Sequence, residues 1–367
     1  MKTSQSKNDS AREGTPPGQL GYRMPAEWEP HEATWLAWPH NRETWPDELE
    51  IVKQAWIEMI RTLAPVEKVC LLVNDERTQA EAEERLRRVG TAMEQVSIWR
   101  IPTVDVWIRD YGPTFITREG DQAGLALNDW VFNGWGRKYE SYLQDDSVAR
   151  SIARRLGVPV FDVGVVLEGG SIDVNGCGSC LTTEQCLLNP NRNPHLGRSE
   201  IEQILRNYLG VEQIIWLGEG IVGDDTDGHI DDIARFVNPE TVVCILEQDS
   251  KDENYVALRK NFERLTAARD QDGKKLFVVP LPCPGPFVHQ GSRLPASYAN
   301  FYIANQVVLV PTFDHPNDRA ALGVLGELFP DRKVVGVPSA SVVIGLGAIH
   351  CVTQQQPRPL TTGFTPP

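Results

Sequence analysis

The stretch His229-Ile-Asp-Asp-Ile-Ala-Arg-Phe-Val237, then Asn238-Pro-Glu240, then Thr241-Val-Val-Cys-Ile-Leu246 decides the fold. A polar head leads into an apolar strand, a turn breaks it, and a second apolar strand returns. The same plan recurs along the chain. Upstream stand Asp110-Tyr-Gly-Pro-Thr-Phe-Ile-Thr117 with the turn Arg118-Glu-Gly-Asp121, and Glu168-Gly-Gly-Ser-Ile-Asp-Val174 with Asn175-Gly-Cys-Gly178. Downstream stand Ser297-Tyr-Ala-Asn-Phe-Tyr-Ile303 with Ala304-Asn-Gln306, and finally Ala348-Ile-His-Cys-Val-Thr353. The heads lie about 50–70 residues apart, a period typical of radial or stacked repeats. Helical periodicity fills the intervals at Glu48–Leu63, Thr78–Val89, Ser147–Leu156, Ser199–Leu209, Glu253–Ala268 and Pro316–Leu328. Apolar strand runs follow or precede these helices at Val69–Val73, Ile214–Trp216, Thr241–Leu246, Leu276–Val279 and Gln306–Val310. The alternation predicts an α/β protein of about five units, closed radially so that strand edges are protected. In such an array Asp110, Glu168, His229, Asp231 and Cys351 would converge on one axis. A two-domain Rossmann-like fold is the alternative. No Gly-x-Gly-x-x-Gly follows a strand here to support it.

Composition narrows the function classes. Of 367 residues, 41% are hydrophobic and 23% charged, which excludes global disorder and a multi-span membrane protein. The net charge of −14 disfavours nucleic acid and anionic lipid as partners and suits a small cationic substrate. Seven scattered cysteines, an odd number, fit a reducing compartment, so a cytoplasmic location is expected. Residues 1–20 carry Ser, Gly, Pro and charge without an apolar run and read as a disordered tail. Residues 21–360 read as one catalytic domain and 361–367 as a short C-terminal tail; homo-oligomerisation stays open.

Cys351 is the candidate nucleophile. It follows Gly345-Leu-Gly-Ala-Ile-His350, whose glycines allow close backbone approach, and it exits into polar Thr-Gln-Gln-Gln. A lone cysteine is by default inert packing, and only this context argues otherwise. Read as a strand, His350 and Cys351 point to opposite faces, so the base must come from elsewhere. His229 is the best candidate: as a strand it shares a face with Asp231, and carboxylates favour imidazolium. A solvated acidic loop or a metal site over Asp224–Asp232 are the alternatives; the spacing is not that of an EF-hand. Asp110 stands beside Arg109, where a structural ion pair is the plain reading. Glu168 ends an apolar run and needs a partner if buried. Cys177-Gly-Ser-Cys180 lacks the second half of a zinc site and reads as a hairpin turn. The aromatic clusters Trp28, Trp35, Trp38, Trp45 and Trp130, Phe132, Trp135 are core or support, of which one or two would wall a cation site.

Taken together these segments resemble the agmatine deiminase family, grouped with bacterial-type peptidyl-arginine deiminases. The matching pieces are Met24-Pro-Ala-Glu-Trp-Glu-Pro-His31, Trp107-Ile-Arg-Asp-Tyr-Gly-Pro-Thr114, Asn133-Gly-Trp-Gly-Arg-Lys-Tyr139, Glu168-Gly-Gly-Ser171 and Leu187-Leu-Asn-Pro-Asn-Arg-Asn-Pro194. Thr226-Asp-Gly-His-Ile-Asp231, Ala296-Ser-Tyr-Ala-Asn-Phe-Tyr302 and Ile349-His-Cys-Val-Thr-Gln-Gln-Gln-Pro357 complete the set. The resemblance implies a five-bladed α/β propeller, the pentein fold, and cofactor-free, metal-free hydrolysis of a guanidinium to a ureido group plus ammonia. It implies Cys351 as nucleophile, His229 as general acid and base, Asp110 and Asp231 as guanidinium clamps, and Glu168 as support for the histidine and substrate. Trp107 and Gly347 join the clamps as expected substrate contacts. Gly345-Leu-Gly-Ala348 departs from the more glycine- and Asn-rich approach expected of the family. Agmatine, on the path to putrescine and other polyamines, is the first candidate substrate. Peptidyl-arginine, a silent guanidine or polyamine binder, and amidino transfer are the alternatives.

Overall fold

The computed structural model describes residues 14–120 and 123–359. Helices form where apolar side chains recur at helical spacing. Leu49–Leu63 buries Val52, Trp56, Met59, Ile60 and Leu63 on one face. Glu76–Arg88 starts where Asp75 accepts the Thr78 N–H at 2.7 Å. Arg198–Leu209 stops at Gly210, whose φ of 66° suits a residue without Cβ.

Five sheets repeat one connectivity. In four of them an antiparallel hairpin is followed by a helix and a strand that pairs parallel with the hairpin's second strand. The hairpins are Thr114–Arg118 with Gly124–Val131, Asp173–Val174 with Ser179–Thr183, Ala234–Asn238 with Thr241–Leu246, and Tyr302–Ile303 with Val307–Thr312. Their parallel partners are Val160–Val166, Gln213–Leu217, Phe277–Pro282 and Lys333–Pro338. The crossover helices are Val148–Leu156, Arg198–Leu209, Tyr255–Ala267 and Asp318–Leu328. In the fifth sheet the hairpin is split between the two ends of the fold. Gln354–Pro357 pairs antiparallel with His31–Ala37, which pairs parallel with Lys68–Val73, itself parallel to Val96–Arg100. The expected α/β alternation is observed at every quoted helix and strand, with ends shifted by a few residues.

The reading of 1–20 as a disordered tail needs correction over its last residues; 1–13 lie outside the described residues. Pro17–Leu20 form a 3-10 turn, because Gly18 lets its backbone lie against the carbonyls of Arg206 and Asn207. Residues 360–367 also lie outside the described residues. Trp35, Trp38, Trp45 and Trp56 are fully buried in the core beside the split fifth sheet, as support rather than site walls. No helix among the described residues is long and apolar enough to cross a membrane.

Candidate active site

Each candidate lies in the turn that precedes the first strand of its hairpin. Asp110 is in the helical turn Ile108–Tyr111, and Glu168 caps the 3-10 turn Gly169–Ser171. His229 caps the 3-10 turn Ile230–Asp232, and Cys351 sits in the turn before Gln354. Two strand assumptions are therefore corrected. His229 and Asp231 are on a 3-10 turn, and His350 and Cys351 are in a turn; tight turns free the head residues to face inward.

Inward is where they meet. A Cβ built on Gly170 would lie 2.5 Å from His229 Nδ1, 2.8 Å from Asp110 Oδ1 and 3.1 Å from Asp231 Oδ2. Glycine there lets three side chains close over one backbone point. Asp110 Oδ1 accepts the Gly170 N–H at 2.9 Å, and its Oδ2 accepts the Trp135 indole N–H at 2.9 Å. His229 Nδ1 lies 3.7 Å from Asp110 Oδ1, and Nε2 lies 3.9 Å from Glu168 Oε2. Neither ring nitrogen, nor Asp231 Oδ1, makes a hydrogen bond among the described residues, although all are buried. Cys351 Sγ lies 3.8 Å from Asp231 Oδ2.

The groups around these residues set their charge. Burial alone would push Glu168 up, but Arg192, whose Nε donates to it at 2.7 Å, and His229 hold it below the usual carboxylate range. Burial would push His229 down, yet Asp110, Cys186 and Glu168 raise it well above its ordinary value, which favours the protonated ring. Burial, opposed by His229 and aided by Asp231, raises Asp110 to about 6. Burial would raise Asp231 too, but His350 at 2.7 Å keeps it low. Burial and then Asp231, Asp232 and Asp110 push the Cys351 thiol well above its ordinary value, against the Ala348 backbone N–H.

Sequence reasoning missed several supporting residues. His350 is held between Asp231 and Glu27, the latter at 2.9 Å, so neither ring nitrogen is available to Cys351. Glu27 also meets Arg109 at 3.2 Å and Arg235 at 2.9 Å, so Arg109 pairs with Glu27 and not with its neighbour Asp110. Arg192 joins Glu168 to Asp227. Asn300 donates to Cys351 Sγ at 3.1 Å. Ser297, taken as the fourth head, instead bonds the Asp232 carbonyl at 2.8 Å. The buried Cys186 stands beside Glu168 and His229, all three within 4.8 Å. Arg192 already places a cation on that glutamate, which opposes a metal ion there. Asp224 is spent on the backbone N–H groups of Thr226 and Gly228. Cys177 is exposed in its turn and Cys180 is buried in the following strand.

A cavity of about 310 Å³ ends on Cys351 and Asp110. Trp107 and Trp135 form walls, and Glu43 and Asp225 also line it. No Lys or Arg lines it among the described residues. Gly345 and Gly347 pass directly under the Trp107 ring: Cβ atoms there would come within 2.9 and 2.5 Å of it. Leu346 between them has φ 69°, a left-handed conformation that costs a side-chain-bearing residue about 1–2 kcal/mol.

The family model for Porphyromonas-type peptidyl-arginine deiminase matches residues 23–357. The agmatine deiminase of Pseudomonas aeruginosa is 40% identical, over 92% of this chain and 96% of its own length. That of Ectopseudomonas mendocina is 39% identical, over 94% and 98%. Among solved structures, the agmatine deiminase of Enterococcus faecalis is similar with a TM-score of 0.87 and 36% identity, over 94% of this chain and 98% of that one.

Proposed function

Because the chain belongs to the Porphyromonas-type peptidyl-arginine deiminase family, we propose that it hydrolyses agmatine to N-carbamoylputrescine and ammonia. That is hydrolysis of a C–N bond in a linear amidine, a step toward putrescine. The observation that carries the choice of substrate is the cavity: Asp110 beside Cys351 at its inner end, Glu43 and Asp225 also on its walls, and no Lys or Arg lining it among the described residues. Agmatine is cationic at both ends and fits that charge. The α-carboxylate of free arginine would find no counter-ion. A volume near 310 Å³ is at the small end for ligand sites and favours a small molecule over a peptide.

The floor suits guanidine chemistry. Asp110 and Asp231 grip the planar cation through its N–H groups and hold its carbon over Cys351. The arriving positive charge offsets the carboxylates that disfavour the thiolate, so Cys351 loses its proton to solvent as substrate binds. Sulfur adds to the guanidinium carbon. Protonated His229 gives its proton to the departing nitrogen, ammonia leaves, and an S-alkylthiouronium remains. The now neutral His229 takes a proton from water; hydroxide adds to the same carbon, the C–S bond breaks, the hydroxyl proton of the adduct passes to solvent, and the thiolate and ureido product separate. Glu168, fixed by Arg192, orients and charges His229. Trp107 and Gly347 shape the wall beside the reacting carbon. The five repeated units are the blades of a five-bladed α/β propeller spanning 21–360, a reading supported by their common connectivity and their converging turns.

The test is a panel of agmatine, arginine and a blocked arginyl peptide, scored for ureido product and ammonia. Agmatine is expected to turn over best by kcat/KM. Turnover of the peptide without turnover of agmatine would overturn the substrate assignment.

A further inference from the structure

We propose that Glu27 is a positioning residue of this site: its buried carboxylate fixes the His350 ring against Asp231 and so keeps that clamp charged. Its kinetic meaning rests on the reaction proposed above; the contact itself does not.

Glu27 belongs to none of the turns that carry the heads. It lies in the connection from Tyr22–Arg23 to His31–Ala37 and is buried. Its oxygens nevertheless reach the segments beside them. Oε2 faces Arg109 at 3.2 Å and His350 Nε2 at 2.9 Å. Oε1 faces Arg235 at 2.9 Å and accepts the Ile303 N–H at 2.8 Å. Arg109 is next to Asp110, and His350 is next to Cys351. Arg235 lies on the strand that follows the turn holding Asp231. One carboxylate therefore ties together the segments that carry both clamps and the nucleophile.

The three basic groups do not depend on Glu27 equally. Arg109 also donates to Gln355 at 2.7 Å. Arg235 also donates to Asp173 at 2.8 Å and to the Phe301 carbonyl at 2.7 Å. His350 Nε2 has no second partner among the described residues. On the other side of the ring, Nδ1 faces Asp231 Oδ2 at 2.7 Å. Burial pushes Glu27 up, but Arg235, His350 and Arg109 hold it well below the usual carboxylate range. An ionised carboxylate only accepts, so both ring nitrogens donate. Without the charge on Glu27, Nε2 can release its hydrogen, and Asp231 then faces a neutral ring.

The two clamps show what that ring does. Burial pushes both carboxylates up. Asp110, with the Trp135 and Gly170 N–H groups on its oxygens, stays raised at about 6. Asp231, with His350 on its oxygen, falls below the usual carboxylate range. His229 faces both clamps, and Arg235 faces Asp231. The remaining groups around Asp231 are the acids Asp110 and Asp232 and the Cys351 thiol, while Asp173 faces Glu27. None of these favours a charged Asp231, so the ring and the carboxylate behind it carry much of that burden.

The first readout needs no substrate. Nitrogen-15 shifts of the imidazoles at neutral pH report whether each ring nitrogen carries hydrogen, with His350 assigned by its loss in His350→Gln. Two hydrogen-bearing nitrogens are expected in the parent, and a bare one overturns the proposal. In Glu27→Gln one of them is expected to lose its hydrogen, and an unchanged ring overturns the proposal. The second readout is kcat/KM for agmatine against pH in the parent, Glu27→Gln and His350→Gln, each checked for folding by circular dichroism. Titration of Asp110 alone gives the parent a one-proton acid limb. In both variants Asp231 should join it. The limb then steepens to two protons and its midpoint rises by about one pH unit or more, the roughly tenfold worth of a hydrogen bond to a charged group. Above the limb both variants should return close to the parent. A merely structural role would lower activity by the same factor at every pH. A folded variant with that uniform loss, or with the parent's limb, overturns the proposal. If Glu27→Gln does not fold, the parent ring and His350→Gln decide. If the ring responds to Glu27→Gln but the parent does not turn over agmatine, the contact from Glu27 through His350 to Asp231 stands and the substrate assignment fails.

Discussion

The floor and the mouth of the cavity are built differently. At the floor Asp110 and Cys351 line the cavity; with Glu168, His229 and Asp231 packed beside them they come from the same position in successive structural units, and they are held by buried partners: Arg192 on Glu168, His350 on Asp231, Trp135 on Asp110. At the mouth, Glu43, Tyr139, Tyr142 and Asp225 come from loops with no common plan. Those loops bend through unusual backbone. Gly134, Trp135, Gly136 and Arg137 all have positive φ, and Tyr139 then bonds Asp225. On the proposed reaction, the floor would serve any guanidinium and the mouth would select what is attached to it.

If that division holds, the largest effect belongs to the floor's nucleophile. Cys351→Ser should lower kcat by about a thousandfold or more, because an alkoxide is much harder to form than a thiolate. Retention of a tenth of the parent rate would end its assignment. Asp110→Asn and Asp231→Asn come next. Loss of one charged clamp should cost kcat/KM about 30- to 5,000-fold. His229→Ala should instead strike kcat and spare binding, with intact-mass spectrometry reporting any trapped adduct.

The floor also predicts a pH dependence. Asp110 titrates near 6 in the free protein, raised by burial. It is neutral below that pH and cannot clamp a cation, so kcat/KM should fall on acidification through about pH 6. Asp110→Asn should remove that limb of the profile along with most activity.

Effects at the mouth should be smaller and selective. Asp225→Asn is expected to raise KM for agmatine about three- to tenfold with kcat little changed, as for a partly buried charge away from the reacting carbon. A large loss of kcat instead would place Asp225 in the chemistry and erase the distinction. Smallest is Leu346→Gly. Relief of the left-handed strain and the added flexibility of glycine oppose each other, so stability measured by denaturant unfolding should change by less than about 1 kcal/mol.

The floor was legible in the sequence for the same reason that it is regular. A head, a strand and a turn recur, so Asp110, Glu168, His229 and Cys351 could be aligned without knowing their distances. The fourth head was misread because Ser297 is the first polar residue of its segment, whereas the structural position is counted back from Tyr302 and falls on Asn300. Glu27, Arg192 and His350 act through partners far away in sequence; as isolated residues they look like any ion pair. The mouth gave no periodic signal, and backbone dihedrals such as that of Leu346 leave no mark when the residue is not glycine. Strand pairing within each unit followed from short turns. The pairing of Gln354–Pro357 with His31–Ala37 did not, since nothing local links them.

That last pairing bears on how the molecule gains activity as it folds. Trp35 donates to Gln356 at 2.9 Å across 321 residues of chain. Closing so long a loop costs about 4 kcal/mol more than closing a tight hairpin, at roughly 0.6 kcal/mol per doubling of length. The local hairpins and crossover helices can form first; the split sheet comes late. Cys351 lies in the turn that enters Gln354–Pro357, so the proposed nucleophile is set in place only by that late step. During refolding, far-UV circular dichroism should recover before turnover does. The interval between them measures the lifetime of a chain that has most of its secondary structure and no working site.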